Sequence, residues 1–182
     1  MTYGDEISEV PIVLKDPPEL DIPPALWDEQ QNLMKSIEEK INELHKSVLS
    51  TMDLGKRIQS INDQIDDGDE NLKDLKERGI ELKEKIDEWQ GKVIELRQKG
   101  FQDALNWPAG MNSEFFILRN NLDTYEPSLP EGYKQRFNDV SDQWTRHSLV
   151  LEKIMEEDVA NYNELFKSKN LPALTKPKEP VN

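Results

Sequence analysis

The chain has 182 residues, 37 acids against 23 bases for a net charge of −14, 35% hydrophobic residues and no cysteine. The acidity opposes nucleic acid and anionic membrane surfaces, and the missing cysteine removes disulfides and thiolate chemistry. With 33% of residues charged, the core is thin and the polar surface large, as in a bundle whose helices each bury one stripe. No window of about 18 apolar residues is present, so no segment reads as membrane-spanning.

Residues 1–20 read as an arm. Val10, Ile12 and Leu14 alternate with Pro11, Val13 and Lys15, the period of a strand. Gly4-Asp5 suits a turn joining Thr2-Tyr3 to that strand, and Asp16-Pro17-Pro18 ends it. The first five residues lack signal-peptide character.

The first long helix is expected from Asp21, a capping residue, with Pro23 and Pro24 in its first turn, where a missing N–H costs nothing. Its seam reads Trp27, Gln31, Met34, Ile37, Ile41, Leu44, Val48, Met52, Gly55, Ile58, Ile61, Ile65. Asp66-Asp67-Gly68-Asp69 stops it and turns the chain.

The second long helix, Glu70 to Lys99, carries the most regular pattern. Leu72, Leu75, Gly79, Leu82, Ile86, Trp89, Val93 and Leu96 follow one another in alternating steps of three and four, a heptad seam. Glu81/Lys85 and Glu88/Lys92 add pairs four residues apart with the acid on the N-terminal side. Gly100 is expected to end this helix, and residues 101–111 form a connection in which Trp107 reads as a plug closing one end of the bundle. A short helix capped by Asn112 or Ser113 turns Phe115, Leu118 and Leu122 inward. Glu126 to Pro130 breaks it. The last long helix runs from Glu131 to Lys169 on Tyr133, Phe137, Val140, Trp144, His147, Leu151, Ile154 or Met155, Val159, Tyr162 and Phe166.

The fold class is all-α: an elongated antiparallel helical bundle of three long helices and one short, with a short β-like N-terminal arm. Residues 21–170 form the bundle and 171–182, with three prolines, a flexible tail.

Candidate chemistry is sparse. His147 is the one histidine on an inward face; it lacks a second inward histidine or an HExxH pattern and reads as structural. His45 lies one position off the first seam. Asp66, Asp67, Asp69 and Glu70 form the densest acidic cluster, but the register of oxygens and glycine does not match an EF-hand loop. A solvated turn is the simpler reading. Trp89, Trp144, Tyr133 and Phe137 read as core, since no basic residues interleave with them. Nucleophile elbow and phosphate-loop patterns are missing. No catalytic, cofactor-binding or metal-binding residue is assigned, and no cofactor is expected.

Three stretches together resemble a known family. Pro11-Ile12-Val13-Leu14-Lys15-Asp16-Pro17 is similar to the strand that leads into the helical segment of bacterial sortilin-like β-propeller proteins, often labelled BNR-repeat glycosyl hydrolases. That junction usually reads Asp-Pro-Arg; here Pro18 stands in place of the arginine. Gln102 to Pro108, followed by Met111-Asn112, resembles the family's loop around Asn-Phe-Pro, with Trp107 replacing the phenylalanine. Tyr162 to Phe166 and Asn170 to Leu174 are similar to its C-terminal ending. The resemblance implies the C-terminal helical region of a longer, exported protein, whose propeller and β-domain are this chain's partners. It carries no catalytic residue onto any position here. The function expected is a non-catalytic structural and interaction bundle, monomeric in isolation. The alternatives are an accessory piece completing a glycoside hydrolase site and a coiled-coil adaptor unrelated to propellers.

Overall fold

The computed structural model describes residues 2–3, 6–7, 9–13, 22–97, 106–107, 110–124 and 126–171. It is an all-α bundle. The helices are α1 (Pro24–Gln64), α2 (Lys73–Val93), α3 (Met111–Leu122), α4 (Glu131–Lys153) and α5 (Val159–Ser168), and a π-helical turn, Ile154–Asp158, joins α4 to α5. Backbone angles stay right-handed helical through both joints of that turn, so α4 and α5 form one continuous rod.

Contacts across the bundle fix its topology. Descending α1, Asn62 meets Gly79, Thr51 meets Gln90, His45 meets Phe116, Glu38 meets Arg119 and Gln30 meets the Leu122 carbonyl. The partners climb steadily in sequence while α1 descends. α2 and α3 therefore run antiparallel to α1 and lie in series, α2 along its C-terminal half and α3 along its N-terminal half. The fourth helix supplies the third side, with Phe137 on Phe115, Trp144 on Trp89, Asp158 on Lys85 and Lys169 on Asp74. The result is three parallel tiers, up, down and up, with the middle tier in two pieces. Spanning the 41 residues of α1, the rod is about 60 Å long.

The core is the seam of these tiers. Ile37, Leu44 and Ile58 of α1, Leu75 and Ile86 of α2, Phe115 and Leu122 of α3 and Val140 of α4 are fully buried. On α1 the true seam is Gln30, Met34, Ile37, Ile41, Leu44, Val48, Thr51, Gly55, Ile58, Asn62 and Ile65, all buried, in unbroken alternating steps of four and three. Three expected seam positions are corrected by one place: Gln31 is exposed, and Met52 and Ile61 are half-buried, because the polar neighbours Gln30, Thr51 and Asn62 hold the inward positions.

Local chemistry explains the ends. Pro24 opens α1 with its fixed φ, and Pro130 precedes α4 at the expected residue. Asn170, at φ 56°, ends α5 in the left-handed region. Leu171 N–H donates to Phe166 and Asn170 N–H to Lys167, closing a Schellman motif. The acidic turn is held by its own side chains: Asp66 and Asp69 accept from backbone N–H groups two residues on, and Lys76 clamps the Ile65 carbonyl at 2.9 Å and Asp67 at 2.6 Å.

Other boundaries differ from expectation. α2 begins at Lys73 and ends at Val93, so Leu96 lies off the helix and is exposed. The cause is tertiary. The chain turns extended at Ile94, and Gly110 packs on that backbone so closely that a Cβ there would sit 2.7 Å from the Ile94 Cα. Gly110, not Asn112 or Ser113, precedes the first residue of α3. Trp107 is no plug at a bundle end. It is partly exposed beside the α2–α3 junction, with the Arg97 guanidinium 3.8 Å over its ring.

At the N-terminus, Thr2–Tyr3 pairs antiparallel with Glu6–Ile7, two residues on each side. The expected strand from Val10 does not form over residues 9–13. Pro11 removes a ladder donor there, and Val10, Ile12 and Val13 are exposed. The expected cap Asp21 and the tail beyond Leu171 lie outside the described residues.

Candidate functional site

The seam between α2 and the fourth helix opens into a groove astride the π-helical turn. A π-turn inserts an extra residue into a helix and often marks functional positions. On one side of it lies a cavity of about 360 Å³ lined by Trp89 and Lys92 of α2 and by His147, Val150 and Ile154 opposite. On the other side lies one of about 340 Å³, lined by Arg78 and Leu82 of α2 and by Asn161, Tyr162 and Leu165. Lys85 and Asp158 border both, and their ion pair at 2.5 Å bridges the groove between them.

His147 stands at the upper basin, half-buried. Its backbone carbonyl accepts the Trp89 indole N–H at 2.8 Å, which ties α4 to α2 at this level. Burial lowers the imidazole pKa, and the charges of Lys92 and Arg146 lower it further. Both effects favour the neutral imidazole. His45 packs instead against Phe116, ring centroids 5.8 Å apart and tilted by 38°, between α1 and α3. The two histidines are not brought together. Among the described residues, no three histidine, aspartate or glutamate side chains gather as metal ligands would.

Below the groove lie buried polar groups; of the residues here, the sequence pattern placed only Gly79 and Tyr162 on a seam, and not Asn62, Thr51 or Gln90. Tyr162 is 2% exposed, and burial pushes its phenol up to about 12. Its hydroxyl and the Asn62 side-chain oxygen are buried without a hydrogen-bond partner. Gly79 makes room for both: a Cβ there would lie 2.7 Å from the Tyr162 oxygen and closer still to the Asn62 amide. About three turns nearer the N-terminus of α1, Gln90 donates to the Thr51 hydroxyl at 2.9 Å, and Thr51 donates to the Val48 carbonyl at 2.8 Å. The signal was in the sequence: Asn62 and Thr51 fall on the strict heptad, and Gly79 faces Asn62 across the seam.

The carboxylates with displaced pKa values are displaced downward. Arg97 binds Glu95 through both its side chain and its backbone N–H and holds that carboxyl at about 2. Lys92 lowers Glu88, Lys76 lowers Asp67 and Lys169 lowers Asp74. For Glu43, burial pushes upward, but Lys40 at 2.8 Å and the nearby Trp144 indole outweigh it. That indole faces the carboxylate without closing a hydrogen bond. These carboxylates are paired with lysine or arginine and held ionised, so none of them is poised to donate a proton near neutral pH. Among the described residues, no helix is long and apolar enough to cross a membrane. Neither a family model, nor a curated protein, nor a solved structure matches this chain.

Proposed function

We propose that this chain is a non-catalytic helical rod that spaces and docks other domains, acting as the C-terminal bundle of a larger sortilin-like β-propeller protein. The observation that carries the non-catalytic part is where the polar chemistry is spent. Among the described residues, the buried polar side chains Gln30, Thr51 and Asn62 lie on the α1 seam and Gln90 beside the α2 seam, and the displaced carboxylates are paired with lysine or arginine. Polar groups used this way fix register between tiers. A rod about 60 Å long, with a core along its whole seam, keeps attached surfaces at a set separation. The propeller assignment rests on the stretches from Pro11, from Gln102 and from Tyr162, and it brings with it export and the propeller and β-domain as partners. In this reading the isolated chain is a monomer.

The test is a panel of aryl glycosides offered to the purified chain. The expected result is no turnover above buffer. Turnover that disappears on replacing a single carboxylate overturns the reading.

A further inference from the structure

The seam of the fourth helix changes phase at the π-helical turn. From Tyr133 to Ile154 its inward positions, through Phe137, Val140, Trp144, His147 and Leu151, follow in alternating steps of four and three, each buried or half-buried. Beyond the turn, Val159, Tyr162 and Phe166 are buried and resume the pattern with steps of three and four. Between the two runs, from Ile154 to Val159, the step is five. A strict heptad takes four there and would put Asp158, Asn161 and Leu165 on the seam. Instead Asn161 is exposed, Leu165 is half-buried, and Asp158 sits at the edge of the groove, paired with Lys85 at 2.5 Å.

Each residue turns an α-helix by about 100°. In an uninterrupted α-helix, one surplus residue would swing Val159, Tyr162 and Phe166 off the seam and bring an aspartate and an asparagine onto it. Burying those two without partners is costly. The observed backbone avoids this. The Val159 N–H donates to the Ile154 carbonyl, a bond spanning five residues, so one turn of helix takes up five residues instead of four. The seams of α1, from Gln30 to Ile65, and of α2, from Leu75 to Val93, keep alternating steps of four and three throughout, and both helices are α-helical along those runs up to their ends. The π geometry falls where the heptad has a residue too many.

We infer that Ile154–Asp158 is a register joint: a single residue surplus to the heptad, taken up in a π-turn so that the core on both sides keeps one phase. Glu156 and Glu157 of the turn are exposed, so the surplus is carried on the solvent side. With its phase restored, α5 stays on α2 to its end, where Lys169 meets Asp74 at 3.0 Å. The joint does not depend on what the rod carries, and glycoside turnover bears on it neither way.

The experiment deletes Glu156, which makes the step from Ile154 to Val159 four and the heptad continuous from Tyr133 to Phe166. The reference is Glu156→Ala, which removes the same charge and keeps the surplus residue. The deletion variant is expected to melt within about 5 °C of the reference or above it. A second variant deletes Thr145, also exposed, on the stretch where the heptad has no residue to spare. There the chain can regain phase at the turn only by placing Ser148 and Glu152 where His147 and Leu151 lie. This variant is expected to melt more than about 10 °C below the parent or to fail to fold. A Glu156 deletion that melts as low as the Thr145 deletion, or does not fold, overturns the inference. So does a Thr145 deletion as stable as the parent, because the seam would then not enforce its phase.

Discussion

The two halves of the middle tier solve the same packing problem unequally. α2 places Leu75, Leu82, Ile86, Trp89 and Val93 along α1 and closes the Thr51–Gln90 hydrogen bond. α3 has 12 residues and buries four side chains, Met111, Phe115, Leu118 and Leu122, while Phe116 and Ile117 remain exposed. A helix of that length is marginal alone. α3 is ordered by its neighbours: by Phe137 across the seam, by Gln30 donating to its last carbonyl, and by ion pairs of Arg119 with Glu38 and of Glu114 with Arg136. Two unbroken tiers can thus template a broken third. The stability of each piece of that third tier tracks the seam it contributes rather than its own helix propensity.

The largest effect should come from cutting the anchor of the weaker half. Phe115 is fully buried edge-on to Phe137. Phe115→Ala should cost about 3–5 kcal/mol, and hydrogen exchange should show α3 amides losing protection well before those of α2. Equal loss in both halves would show that the middle tier acts as one unit.

An intermediate effect separates the two polar levels of the stronger half. Thr51→Val leaves the buried Gln90 amide without its acceptor and should cost about 1–3 kcal/mol. Tyr162→Phe removes a hydroxyl with no partner, so denaturant unfolding should find it neutral or stabilised by up to about 1 kcal/mol. A Tyr162→Phe loss as large as that of Thr51→Val would mean the phenol is hydrogen-bonded after all.

The smallest effect concerns the arm, which belongs to neither half. Val10, Ile12 and Val13 are 76–83% exposed, and apolar groups left in water add little to stability. A chain beginning at Asp16 should melt within about 2 °C of the full chain. A larger fall would make the arm part of the bundle.

Much of this architecture was legible in the residues. The α2 seam reads correctly from Leu75 to Val93 because each of its positions is apolar or glycine. α1 reads with three slips because its heptad passes through Gln30, Thr51 and Asn62, and a search for apolar residues steps to Gln31's register, Met52 and Ile61 instead. The strict spacing, kept through polar positions, was the better guide. The end of α2 was not legible. Leu96 extends the pattern, and the break comes from Gly110, 17 residues beyond Val93, pressing on the Ile94 backbone. The groove was hidden for a similar reason: Trp89 and Lys92 lie far in sequence from His147 and Lys153, and only the pairing of tiers joins them. His147 itself was legible as an inward seam residue, but the lysines around it were not.

The central claim is that α2 and α3 lie in series along α1. The chain has no cysteine, so Glu77→Cys and Asn121→Cys, both at exposed positions, can carry the only two nitroxides. Pulsed electron–electron resonance should find them about 50 Å apart, the length of α1 that separates their neighbours. If α3 instead folds back along α2, the distance falls to about 25 Å or less, and the serial tier is wrong.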